Sequence, residues 1–290
     1  MVQHVDLRAV SQPLGILRVL EVALTLVSFA LVASVGHLSS SYWAWCMFSW
    51  VFCCALTLLI LVLEFSTLSA RLPISWDDFT TAFAMLAALM LLAASIIYPS
   101  VVFSCPDCGR QVAATVVSWV SVAAYIGEVV LVRFFRRSGQ VSGFLSTVPG
   151  LLKILETFVA CIIFTSLVPE RYASHAALQW CVAVYALCFI FALLIIVLTV
   201  GQLLTYIPFL DKLVCIYNVL AVLMYMSAVV VWPLYSFQKH PRPTNCTASS
   251  PCLAWDALVV VTFMTVINLG VYILDAAYSI HLVFFVQRRS

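Results

Sequence analysis

The chain has 290 residues, 64% of them hydrophobic and only 9% charged, with a formal net charge of +2. A mean hydropathy of +1.13 sets it apart from soluble domains, where roughly 45–50% of residues are apolar and about 25% charged. Those values exclude a water-soluble globular domain. The basic residues are spread over the ends of apolar runs, which excludes a concentrated nucleic-acid surface and leaves an integral membrane protein.

About 20 apolar residues cross roughly 30 Å of hydrocarbon as a helix. Eight stretches meet that length, near 14–36, 43–66, 79–99, 111–133, 151–168, 177–200, 213–235 and 257–280. Their hydrophobicity is continuous, not alternating, so a membrane barrel with a polar lumen does not fit and helices remain. The expected fold is all-α and polytopic, with eight transmembrane helices. Asp6, Arg8 and Pro13 precede the first run, which is too long for a cleaved signal and has no small-residue cleavage site. Met1-Val2-Gln3 and Gln287-Arg288-Arg289-Ser290 match no myristoylation or prenylation signal. Asp77 or Asp78 before the third run, and Asp211 before the seventh, suit helix N-termini.

A fixed repeat organises these runs. Gly15-Ile16-Leu17-Arg18-Val19-Leu20-Glu21 returns 135 residues later as Gly150-Leu151-Leu152-Lys153-Ile154-Leu155-Glu156. The same offset links Trp45-Cys46 to Trp180-Cys181, and Cys53 to Cys188. The ends of the third helices correspond as Tyr98-Pro99 and Trp232-Pro233, and the fourth helices as Tyr125 with Glu128 against Tyr272 with Asp275, an offset of 147. The extra residues fall in a larger outer loop at about 236–256. A repeat names the folding unit before any helix is assigned. Two tandem four-helix bundles are expected, parallel to each other because each holds an even number of spans. The expected division is a cytosolic segment 1–12, a first domain 13–137, a cytosolic linker 138–148 around Arg136-Arg137, a second domain 149–286 and a tail 287–290. Small residues four apart, Ala30 with Ser34, Ala84 with Ala88 and Ala114 with Ser118, are expected to permit close helix approach.

Eight basic residues (Arg8, Arg71, Arg133, Arg136, Arg137, Lys212, Arg288 and Arg289) fall on one side, and Arg110, Arg171, Lys239 and Arg242 on the other. The positive-inside rule then puts both termini in the cytosol. Trp43, Trp45, Trp180, Trp232 and Trp255 are expected as outer interfacial anchors, and Trp76 as an inner one.

Charges within apolar helices are costly and need partners. Arg18, Glu21, Glu64, Glu128, Lys153, Glu156 and Asp275 all lie toward the cytosolic helix ends. Arg18 with Glu21, and Lys153 with Glu156, are three apart and share a helix face, so each pair is expected to neutralise itself. Glu64, Glu128 and Asp275 are expected opposite them. The layer reads as a charge clasp that fixes helix register. The alternative is a channel or transporter for ions, protons or small solutes using Glu21, Glu64, Glu128, Glu156 and Asp275, but no acids continue into the outer half, and Thr199 replaces Glu64 in the second repeat.

Cys105, Cys108, Cys246 and Cys252 occupy the outer loops and are disulfide candidates in an oxidising exterior. Local bridges within each loop are the simplest pairing; a redox-active Cys105-Pro106-Asp107-Cys108 is the lesser reading. Cys46, Cys53, Cys54, Cys161, Cys181 and Cys188 read as small packing residues, and Cys215 as a palmitoylation candidate. Asn245-Cys246-Thr247 is a glycosylation sequon. Scattered histidines and the lack of a phosphate loop, HExxH motif or nucleophile elbow imply no metal, no cofactor and no catalysis.

Gln12-Pro13-Leu14-Gly15-Ile16-Leu17-Arg18, Ala94-Ser95-Ile96-Ile97-Tyr98-Pro99, Leu155-Glu156-Thr157-Phe158-Val159-Ala160-Cys161 and Ser279-Ile280-His281-Leu282-Val283-Phe284 closely resemble the myeloid-associated differentiation marker family across almost the whole chain. The resemblance implies two MARVEL domains and a non-enzymatic role in sterol-rich membrane microdomains, membrane condensation, vesicle traffic, cell spreading and junctions. It implies membrane lipids, cholesterol among them, other membrane proteins, and small-GTPase or cytoskeletal adaptors as partners, and a multi-pass plasma-membrane location that extends to cell junctions and vesicles.

Overall fold

A computed structural model describes residues 13–36, 41–72, 74–102, 109–135, 147–173, 175–201, 210–239 and 253–282. Among them are eight long apolar helices: α1 (Pro13–Ala33), α2 (Ser41–Phe65), α3 (Trp76–Ile97), α4 (Gly109–Phe135), α5 (Val148–Ser166), α6 (Ala176–Val200), α7 (Leu210–Lys239) and α8 (Leu253–His281). All eight are long and apolar enough to cross a membrane, so the polytopic all-α reading holds. The chain divides into two compact units, Met1–Thr147 and Val148–Ser290.

Within the first unit α1 packs on α2, α2 on α3, α3 on α4 and α4 back on α1. The second closes in the same order, from α5 through α8 and back to α5. Each is a ring of four helices whose consecutive members run antiparallel. The sequence forms these rings because polar residues in the apolar helices turn toward the ring interior, most clearly in α1. In α1 the buried stripe is Gly15, Arg18, Glu21, Thr25, Ser28 and Val32, spaced three and four apart, while Ile16, Val19, Leu20, Leu26 and Val27 are exposed. Lipid provides no partner for a polar group, so the polar residues turn inward. Hydroxyls on that stripe are satisfied locally: Thr25 donates to the Glu21 carbonyl at 2.7 Å and Ser28 to the Leu24 carbonyl at 3.0 Å.

Small residues open room for this packing in part. Ala84, Ala88, Ala114 and Ser118 are buried, but Ala30 and Ser34 are exposed, because α1 meets its neighbours through the polar stripe on its other side. Asp77 and Asp78 lie inside the first turn of α3, not before it. Asp211 likewise falls within α7.

The tryptophans divide in two. Trp180 is exposed, but Trp232 is only 2% exposed and packs on Tyr185 at a centroid distance of 6.1 Å. An interfacial anchor at Trp232 is therefore overturned: α7 runs through Pro233 to Lys239, so the ring sits within the bundle and not at the helix end. Trp50, at the matching level of the first bundle, is fully buried against Tyr98, with centroids 5.4 Å apart and rings at 76°.

Candidate functional site: two buried polar cores

In the first bundle, the α1 stripe brings Arg18 to the end of α2 and the late part of α4. Its Nε donates to Glu128 Oε1 at 2.6 Å, and one terminal nitrogen donates to Glu64 Oε1. Trp76 Nε1, in the first turn of α3, donates to the same Glu64 oxygen at 2.9 Å. Four helices thus meet at one guanidinium and two carboxyl groups. Arg18 and Glu128 are 3% and 4% exposed, whereas Glu64 keeps 25% of its side chain accessible.

The self-neutralising pair of Arg18 with Glu21 does not form. Arg18 spends its fork on carboxylates from two other helices, a geometry that a long planar guanidinium satisfies. Base before acid is also the weaker order for a pair along one helix. Glu21 is fully buried, and neither of its carboxylate oxygens receives a hydrogen bond among the described residues. Its charged neighbours are Glu128 and Arg18.

In the second bundle Lys153 does pair along its helix, its Nζ donating to Glu156 Oε2 at 2.8 Å. The same nitrogen lies 2.7 Å from Asp275 Oδ2 and donates to Asn218 Oδ1 at 2.6 Å. An ammonium has three N–H donors, and here each has a partner. Asn218 in turn donates to Asp275 Oδ2 at 3.0 Å and to Ser279 Oγ at 2.9 Å. The rings of Tyr217 and Tyr272 cover the ammonium, with centroids 4.8 and 5.2 Å away, which adds cation–π attraction where water is excluded. Lys153, Glu156 and Asp275 side chains are all 0% exposed.

Hydroxyls carry each polar core farther along its bundle axis, a feature that the ionisable residues alone do not reveal. Tyr125 and Thr57 hydroxyls lie 2.6 Å apart, and Tyr125 also donates to the Cys53 carbonyl at 3.4 Å. Trp50 Nε1 donates to Ser118 Oγ at 3.0 Å, and that oxygen is 2.7 Å from Ser95 Oγ. In the second bundle Tyr272 donates to the Cys188 carbonyl at 3.5 Å, Asn268 donates to the Tyr225 hydroxyl at 2.8 Å, and the Tyr185 and Thr265 hydroxyls are 2.9 Å apart. The offsets within the sequence predict these equivalences. Cys53 maps on Cys188 and Trp50 on Tyr185 at 135, and Tyr125 maps on Tyr272 and Ser118 on Thr265 at 147. Asn218 and Asn268, amides within apolar runs, were the remaining signal.

Cys46, Cys53, Cys181, Cys188 and Cys215 are buried and Cys54 half-buried, while Cys161 is exposed on α5, which overturns its reading as a packing residue: it falls on the outer side of its bundle, off the buried stripe of the helix. Cys105, Cys108, Cys246, Cys252 and Asn245 lie outside the described residues.

Two four-helix units, each apolar outside and closed around a buried base with excess carboxyls, define a tandem membrane-embedded bundle protein. The model of the MARVEL membrane-associating domain matches this chain twice, over residues 9–131 and 144–278. The chain is 44% identical to the human myeloid-associated differentiation marker, over 96% of this chain and 90% of that protein. It is 43% identical to the myeloid-associated differentiation marker homolog of Xenopus laevis (94% and 93% covered) and 41% identical to human myeloid-associated differentiation marker-like protein 2 (95% and 94%). No solved structure matches. The chain belongs to the myeloid-associated differentiation marker family of tandem MARVEL membrane proteins.

Proposed function

We propose that the protein is a non-enzymatic organiser of sterol-rich plasma-membrane microdomains, with both termini and the 138–148 linker cytosolic, acting in membrane condensation, vesicle traffic, cell spreading and junctions. One observation carries this reading: the charged and polar groups of each bundle are gathered in its interior, so the surface offered to other molecules is lateral and apolar. On α6 that surface includes Trp180, Leu187, Ile190, Phe191, Leu194 and Val197, all exposed. Such a face acts through packing against lipid or another membrane helix. Cholesterol, membrane proteins and small-GTPase or cytoskeletal adaptors are the partner classes that family membership suggests. The charge layer serves as a clasp of helix register, and the outer-loop cysteines as loop-local disulfides.

Purified protein reconstituted in phase-separating giant vesicles with and without cholesterol tests this reading. Enrichment in the sterol-rich phase is expected, and uniform exclusion from it would refute the proposal. The transport alternative draws on Glu64, the cluster carboxylate that keeps partial exposure. Proton or cation flux in the same vesicles, abolished by Glu64→Gln with folding intact, would replace the organiser reading with transport.

A further inference from the structure

The second polar core has fewer donors than acceptors, and Asn268 Oδ1 is one buried oxygen left without a hydrogen-bond partner among the described residues. Lys153 commits its three N–H groups to Glu156, Asp275 and Asn218. Asn218 commits its two to Asp275 and Ser279. Asn268 directs its amide to the Tyr225 hydroxyl and the Glu156 carbonyl, and Tyr217 and Tyr272 hydroxyls both point to the Cys188 carbonyl. Glu156 Oε1 and Asp275 Oδ1 remain, completely buried, with no hydrogen-bond partner among the described residues. Both residues are bound to the same ammonium, Glu156 Oε2 at 2.8 Å and Asp275 Oδ2 at 2.7 Å from Lys153 Nζ, which brings the two carboxyl groups together at one cation. Among the described residues, Lys153 is the charged group facing the pair from the packed helices, with Cys188, Tyr217, Tyr225 and Tyr272 as the nearby titratable neighbours.

Two carboxylates against one ammonium would leave a net charge and two bare oxygens in a site closed to solvent, which is costly. A single proton removes both faults, since a carboxylic acid donates where a carboxylate only accepts. We propose that this core is a proton-binding site in which Glu156 and Asp275 share one proton, held as a carboxylic acid–carboxylate hydrogen bond beside Lys153. The core is then electrically neutral, one ammonium against one carboxylate. The first bundle has a larger excess, with Glu21, Glu64 and Glu128 around the one guanidinium of Arg18 and both Glu21 oxygens buried without a hydrogen-bond partner among the described residues.

Infrared difference spectroscopy of the full chain in lipid tests the site. The wild-type protein should show a carboxylic-acid carbonyl band that moves in D2O. Glu156→Gln and Asp275→Asn each replace the shared proton by an amide donor and leave one acid for one base. Both variants are expected to fold, and each should lose the part of the band that this site contributes. Folded variants with an unchanged band, or a wild type without an acid carbonyl, would overturn the proposal. If neither variant folds, wild-type protein labelled with carbon-13 at aspartate side chains reads the same site. Part of the acid band should then shift with the label, and a band wholly insensitive to it would overturn the proposal.

Discussion

In the first bundle the buried base takes a further partner from the second helix, Glu64, whereas in the second bundle its third partner comes from the third helix, as Asn218. The equivalent positions are vacated in each case. Thr199 stands where Glu64 would be and closes its hydroxyl on the Ile195 carbonyl at 2.7 Å, and Ala84 stands where Asn218 would be. Exchanging a charged partner at a helix end for a neutral one inside the ring moves the core away from the surface. Glu64 keeps 25% of its side chain accessible, while the charged side chains of the second core are wholly covered. The helical stripe fixes where the base must lie, and its remaining partner is free to come from either neighbouring helix. One core reaches the surface of its bundle and the other is sealed.

The sealed core is where substitutions should cost most. Lys153→Met leaves Glu156 and Asp275 without their cation, and breaking a buried pair on one side costs about 3–5 kcal/mol. A large loss of folded fraction on titration with SDS is the expected result. The double change Lys153→Leu with Glu156→Leu should recover little, because Asp275 stays behind, whereas Lys153→Met with Glu156→Gln and Asp275→Asn should recover most of the loss. Full recovery by the double change would show that Asp275 is not part of the clasp.

The contrast between sealed and open cores sharpens further at the third partner. Asn218→Ala takes an acceptor from Lys153 and a donor from both Asp275 and Ser279, and a buried group left unsatisfied costs about 1–3 kcal/mol. Glu64→Gln keeps a carbonyl oxygen that can accept from Arg18 and Trp76, at a site that water or headgroups reach, so its cost should stay below about 1 kcal/mol. Thermal stability of the two variants in the same detergent checks the order. A larger effect at Glu64 would break the comparison.

Much of this was legible in the sequence. The 135 and 147 offsets place Arg18 and Glu128 at the same levels as Lys153 and Asp275, and the apolar runs mark all eight helices to within a few residues. The pairings were less accessible. Spacing along one helix suggests Arg18 with Glu21, but which side chains meet depends on helix rotation, and the guanidinium reaches α2 and α4 instead. The hydroxyls escaped attention for a related reason. Tyr, Thr and Ser are common in membrane helices, and only a three-dimensional ring shows that Tyr125 and Tyr272 repeat the same contact to Cys53 and Cys188. Trp232 misled because a Trp-Pro at the end of an apolar run resembles an interfacial anchor, whereas the helix passes through Pro233.

A further prediction concerns the aromatic pair that the two bundles hold in opposite order. Trp50 packs on Tyr98 in the first, and Tyr185 on Trp232 in the second, at matching positions and similar separations of 5.4 and 6.1 Å. Each indole or phenol on the second helix of its bundle donates to or shares a hydrogen bond with the fourth, Trp50 to Ser118 and Tyr185 with Thr265. Trp50→Tyr alone leaves a void and Tyr98→Trp alone overfills the site, each costing about 1–3 kcal/mol. Together they conserve volume and install the arrangement that the second bundle already tolerates, with a phenol still able to reach Ser118. The double variant should therefore lose less than about 1.5 kcal/mol, less than the two single losses added. A double-mutant cycle on thermal stability reads the coupling directly. Strict additivity would mean that the two bundles, though built on one repeat, no longer share the geometry that makes their aromatic pairs exchangeable.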